Sequence, residues 1–423
     1  MTSLELWENV SKYNIGTFSI YYEKGLVDED GNLIGFKDTI FHEYFHLVQF
    51  LTTIFGLWLF INELEIFFMN VFAFKKVQNV DKFLWPYKCL KRVPLSQKIN
   101  EINHAVFNVK RVDFAPSVKF VKFVEGKQRI HLLGKYTYPT LVALFKDDDH
   151  TFEYELTAKC ICEAYSKAVE YEIYGPFKGI NAYHCRKKEF EYYAARLILQ
   201  FFFPNISEEQ IVVVLHWSLN HVSPCVFFRD IIYHLKSCYN QNLPHSSKDI
   251  SDEIFDLYQG KHSGFETELI RILERVIIER IGTDNFLLPV LSSLLAMYKN
   301  NFKYLSSKTF FPTCLDLYPF GKKYNSNNTT TSLIESCSKI VPLVLYQREE
   351  DGRYFFVDGK FSRYFFRLET LFFLNTHLTK RKLRKKCPFH KNCRFLVNGK
   401  CCNFKIYEAN VPCDLGNAME YFR

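Results

Sequence analysis

"TIFHEYFHLVQFLTTIFG", residues 39–56, sets His42, Glu43, His46 and Gln49 in a run that is otherwise apolar apart from threonines. The run has no proline, and Asp38 stands before it as a helix N-cap. It therefore predicts a helix over 39–55 that stops at Gly56 in a left-handed C-terminal turn. On a wheel turning about 100° per residue, His42, His46, Gln49 and Thr53 share one narrow stripe. The rest of the surface is Ile40, Phe41, Tyr44, Phe45, Leu47, Val48, Phe50, Leu51, Ile54 and Phe55, which predicts burial almost all round. Imidazoles and an amide buried there cost several kcal/mol unless each finds a partner. A metal ion is one such partner. The plainer reading is a pair of core histidines satisfied by backbone and by Gln49.

The remaining chain supports a large folded core. With 423 residues, 43 Phe and 26 Tyr against 17 Gly and 14 Pro, low-complexity disorder is excluded, and long aromatic-packed elements are expected. The N-terminus "MTSLELWENV" lacks the basic start and apolar run of a signal peptide, so cytoplasmic residence is the expectation. "FLTTIFGLWLFIN" is followed by Glu63 and Glu65 and falls short of the roughly 20 apolar residues of a membrane span. An odd number of cysteines, 13, spread irregularly along the chain, argues for mostly reduced thiols.

Upstream of the helix, "TFSIYYE" and "NLIGF" read as strands around the turn "DEDGN", and another helix is expected over about 57–75. "SVKFVKFVEGKQRIHLLGKYTY" alternates around a glycine-containing turn and predicts a hairpin near 117–133, whose edge could receive an extended peptide. "ELTAKCICEAYSKAVEYEIYGP" returns to helical periodicity, and helices dominate to about residue 300. "NSNNTTTS", 325–332, is a polar loop, and "RYFFVDGKFSRYFF" is a second hairpin candidate turning at Asp358-Gly359. The organisation expected is 1–205 carrying the histidine helix, 206–380 as a helical region completing the core, and 381–423 as a basic, cysteine-rich tail.

His42-Glu43-Tyr44-Phe45-His46 matches H-E-x-x-H and resembles the zincin metallopeptidases. Two imidazoles one helical turn apart can bind one Zn²⁺ at about 2.0–2.1 Å. What the resemblance implies is a mostly helical α+β fold with a small sheet next to the H-E-x-x-H helix and a helical C-terminal half. It further implies a catalytic zinc on His42 and His46, Glu43 as general base, and a protein or peptide substrate. The H-x-x-G-x-x-H extension is missing, so the pattern resembles the gluzincin arrangement, in which a later glutamate completes the site. Glu163 is the first choice, with Glu170 and Glu172 as alternatives.

Against Glu163 stands its i,i+4 spacing from Lys167, typical of a solvated helix face, and its position away from the apolar arc of Ile161, Ala164, Tyr165 and Ala168. Gln49 could orient a ligand from behind or be a buried amide bonded to backbone. His216, His221, Tyr171, Tyr174, Tyr192 and Tyr193 are candidate oxyanion donors. The order HEYxHxxQ, then Glu-x-x-small, then "LHWSLNHVSP" also resembles uncharacterised bacterial proteins over about the first 230 residues.

In the tail, Cys387, His390, Cys393, Cys401 and Cys402, with Cys413 beyond, could close a second, structural Zn²⁺ site. The basic run at 380–386 could touch nucleic acid, although such runs are usually solvated. The alternative to a peptidase is a non-enzymatic zincin-like protein that uses this tail to bind a nucleic acid or protein partner.

Overall fold

A computed structural model describes residues 11–14, 19–22, 37–78, 117–130, 137–148, 150–174, 190–261, 263–281, 287–306, 344–347 and 354–356. The chain is α+β and mostly helical. Strands β1 (Ser11–Asn14) and β2 (Ser19–Tyr22) pair antiparallel, β2 pairs parallel with β6 (Val344–Gln347), and β6 pairs antiparallel with β7 (Tyr354–Phe356). This small sheet lies against the histidine helix α1, Lys37–Thr52. "TFSIYYE" is thus a strand, but its partner is β1; "NLIGF" lies outside the described residues. In the second hairpin candidate, "YFF" is a strand that pairs backwards with β6, and Asp358-Gly359 lies outside the described residues.

Strands β3 (Lys119–Ile130), β4 (Thr137–Asp147) and β5 (His150–Leu156) form a separate antiparallel sheet in that order. The expected hairpin exists as the antiparallel pair β3–β4, and Gly126 is not in its turn. That glycine lies inside β3, where the pairing with β4 shifts register between Glu125 and Gln128. A glycine without a side chain to pack marks a bulge as readily as a turn.

Helices α3 (Ala158–Tyr174), α4 (Ala194–Phe202), α5 (Glu208–Ser218), α6 (Pro224–Tyr239), α7 (Ser247–Lys261), α8 (Phe265–Val276) and α9 (Leu288–Asn301) complete the described fold. Local chemistry sets several of these starts. Ser207 caps α5 in a reciprocal box: Gln210 N donates to Ser207 Oγ (3.2 Å) and Ser207 N donates to Gln210 Oε1 (2.9 Å). Pro224 opens α6, where a missing N–H costs nothing. One continuous apolar core runs from Phe45 to Leu305, so residues on both sides of position 205 share it. "NSNNTTTS" lies outside the described residues.

Gly56 is not a left-handed stop. Helix α1 ends at Thr52, and a second helix, α2 (Ile54–Gln78), starts almost at once and contains Gly56. A Cβ at Gly56 would overlap the Phe50 backbone, so the glycine is what lets the two helices meet this closely. The buried junction leaves few backbone groups without partners. Thr52 and Thr53 hydroxyls donate to Val48 O and Gln49 O (2.7 Å each), Tyr298 Oη to Phe50 O (3.2 Å) and Asn301 Nδ2 to Leu51 O (2.8 Å). On the other side Gly56 N donates to Thr53 Oγ1 (3.2 Å) and Phe55 N to Leu219 O (2.9 Å), while Ile54 N is 3.4 Å from Asn220 Oδ1. The "LHWSLNHVSP" segment therefore serves as a clamp on this corner.

Helix α2 has 25 residues, but Glu63, Glu65, Lys75 and Lys76 interrupt it. No helix among the described residues is long and apolar enough to cross a membrane.

Gly56→Ala is expected to destabilise the protein by about 1–3 kcal/mol through overpacking. Denaturant unfolding checks it, and an unchanged midpoint would show that the corner has slack.

Candidate metal centre

Helix α3 lies between α1 and α5. Both of its faces are covered, which corrects the expectation of a solvated Glu163 side. Glu163 is fully buried, as are Ile161, Ala164, Tyr165 and Ala168 on the opposite arc. A wheel assigns one apolar face to one neighbour; here a second helix covers the polar stripe and brings its own polar stripe to meet it. Lys167 pairs with Glu170, at 2.7 Å.

His42, His46, Gln49 and Thr53 are all buried, as the wheel implied, together with Phe45, Val48, Phe50 and Leu51 around them. The side chains of Ile40, Phe41, Tyr44 and Leu47 lie outside the described residues. Glu163 Oε2 sits 2.9 Å from His42 Nε2 and 3.3 Å from His46 Nε2. One ligand atom from each of the three residues falls within 4.8 Å of the other two. The rings of His42 and His46 are 4.9 Å apart and nearly perpendicular.

Behind each imidazole stands a partner on its other nitrogen. His42 Nδ1 is 3.3 Å from Glu170 Oε2. His46 Nδ1 lies 3.1 Å from Gln49 Oε1 and 3.2 Å from Ser166 Oγ. Gln49 spends its amide donors on Cys162 O (3.0 Å) and Ser166 Oγ (2.9 Å), which leaves Oε1 to accept from His46 Nδ1. So oriented, His46 turns its Nε2 toward the Glu163 carboxylate. Two acceptors at 3.3 Å repel unless a proton or a metal cation lies between them. Glu163 Oε1, also buried, has no hydrogen-bond partner among the described residues. The donor set therefore fits a divalent cation of the borderline-soft class.

This geometry sorts the sequence candidates. Glu163 faces the Nε2 atoms of both histidines; Glu170 reaches only the far nitrogen of His42, as an orienting carboxylate. The Glu172 side chain lies outside the described residues, and so does that of Glu43, although both have helical backbone. Gln49 holds His46 and bonds backbone at once, so both readings of it apply. Ser166, the small residue of the Glu-x-x-small pattern, completes this support; its spacing of three from Glu163 was the available signal.

Among the oxyanion candidates, Tyr192 packs its ring 5.6 Å from that of His42. His216 instead bonds Tyr165 Oη (3.1 Å) and Asn220 Nδ2 (3.2 Å), and burial pushes it down to about 3, so it is a neutral core residue. His221 accepts from Ser223 N at 2.9 Å. Tyr171 lies under Lys167 and Arg196. Tyr193 precedes α4, and the Tyr174 side chain lies outside the described residues. Cys387, His390, Cys393, Cys401, Cys402 and Cys413, and the basic run at 380–386, lie outside them too.

No family model, no curated protein and no solved structure matches this chain.

Burial opposes charge on both partners, and their pairing overcomes it. His42 is desolvated, yet the Glu163 and Glu170 carboxylates raise it from 6.5 to about 10. Burial would raise Glu163, yet His46 and His42 bring it from 4.5 down to about 2. In metal-stripped protein the His42 contribution to stability is complete below 6.5 and lost as pH rises through about 10. The Glu163 contribution is complete above 4.5 and lost as pH falls through about 2. The pair stabilises most between those limits. An NMR titration of the His42 ring in stripped protein is expected to show a midpoint well above 6.5; one below it contradicts the arrangement.

Proposed function

We propose that this chain is a zinc-dependent metallopeptidase of the zincin type. The observation that carries the reading is the convergence of His42, His46 and Glu163, from two helices distant in sequence, on one buried point where Glu163 Oε1 has no hydrogen-bond partner among the described residues. The H-E-x-x-H spacing supplies the rest of the reading, because it puts Glu43 directly after one of the two histidines.

A zinc ion at that point would polarise a scissile carbonyl and lower the pKa of a water toward about 7. The chain's own residues do the remainder. Glu170 and the Gln49–Ser166 pair fix the two imidazole rings from behind, so neither has to reorganise during reaction. Glu43 takes the proton of the attacking water and delivers it to the leaving amine.

Glu43→Gln is expected to retain zinc and to lower cleavage of a library of peptides and unfolded proteins by roughly 10²–10⁴-fold. Cleavage at the wild-type rate by this variant would overturn the assignment of the base. A zinc-loaded wild type that leaves the whole library intact would remove the peptidase reading.

A further inference from the structure

A different trio of donors lies on the far side of α6 from the core. His234 and Cys238 are one turn apart on that helix, and Glu253 comes from α7. His234 Nε2 is 3.5 Å from Glu253 Oε2, Cys238 Sγ is 3.8 Å from the same oxygen, and Sγ is 3.9 Å from His234 Nε2. Bonds of about 2.0–2.3 Å at tetrahedral angles set donors about 3.3–3.6 Å apart, so a slight contraction of this triangle would close it around Zn²⁺.

Three further observations agree. Cys160, Cys162 and Cys225 are buried and burial pushes their thiols up, whereas Cys238 is the exposed free cysteine among those described. An imidazole, a thiolate and a carboxylate together carry two negative charges, which a divalent cation neutralises. Cys238 also sits in the last turn of α6, where unpaired carbonyls favour positive charge.

We propose that His234, Cys238 and Glu253 form a second metal site that binds a borderline-soft divalent cation, Zn²⁺, and fastens the end of α6 to α7. The site is independent of the α1–α3 centre. It differs from that centre in holding sulfur, and this difference supplies the test.

Full-length protein is stripped of metal and titrated with Co²⁺, whose near-ultraviolet charge-transfer absorption reports thiolate ligation. The wild type is expected to show this band and Cys238→Ser to lose the part that this site supplies, while His46→Ala retains it. Subtracting the Cys238→Ser spectrum removes whatever the tail cysteines contribute. His234→Ala and Glu253→Ala are each expected to weaken the Cys238-dependent band's Co²⁺ affinity about tenfold or more. These residues are at the surface, so circular dichroism matching wild type is expected for all three variants. Identical spectra for wild type and Cys238→Ser overturn the proposal, as does a Cys238-dependent band that neither His234→Ala nor Glu253→Ala weakens.

Discussion

The structure depends on one buried electrostatic contact: the Glu163 carboxylate of α3 placed between the two imidazoles of α1. Left without countercharge, such a group is among the most expensive things a core can contain. Several polar neighbours are arranged around it. Glu170 holds one ring, Gln49 and Ser166 hold the other, and Lys167 balances Glu170 at the edge. The aromatic surround, with Phe45 edge-on to Tyr165 at 4.8 Å, lowers the local dielectric and strengthens each of these interactions.

Holding α1 at the right depth is the task of its C-terminal corner. The helix cannot slide along α3 without breaking the bonds from Tyr298 and Asn301 to its last carbonyls, or the contacts of Leu219 and Asn220 with the start of α2. Gly56 makes that corner tight. Precision at the His42–His46–Glu163 cluster thus comes from α9 and from the α5–α6 connection, well separated in sequence from the residues they position.

Much of α1 was legible because a period of 3.6 and a buried polar stripe are properties of a single segment. What covers the stripe was not. Glu163 and Lys167 carry the spacing of a surface pair, and only the sandwiching of α3 between α1 and α5 turns that face inward. Gly56 was misread for a related reason: a glycine after an apolar helix signals either a left-handed stop or a close approach, and the choice depends on whether another backbone passes there. Gly126 shows the same ambiguity in a strand, where a glycine marks a bulge rather than a turn. The role of Glu170 was half visible, since it shares a face with Glu163, but which imidazole nitrogen it meets is a matter of three-dimensional register.

The claim beneath all of this is that the α1–α3 cluster exists to hold a cation. The most direct measurement is the zinc content of folded wild type beside folded Glu163→Gln at the same buffered free zinc, because the amide keeps the side chain's volume while removing its charge. The account predicts that the wild type retains an ion that the variant has lost. Equal zinc in the two proteins would contradict it.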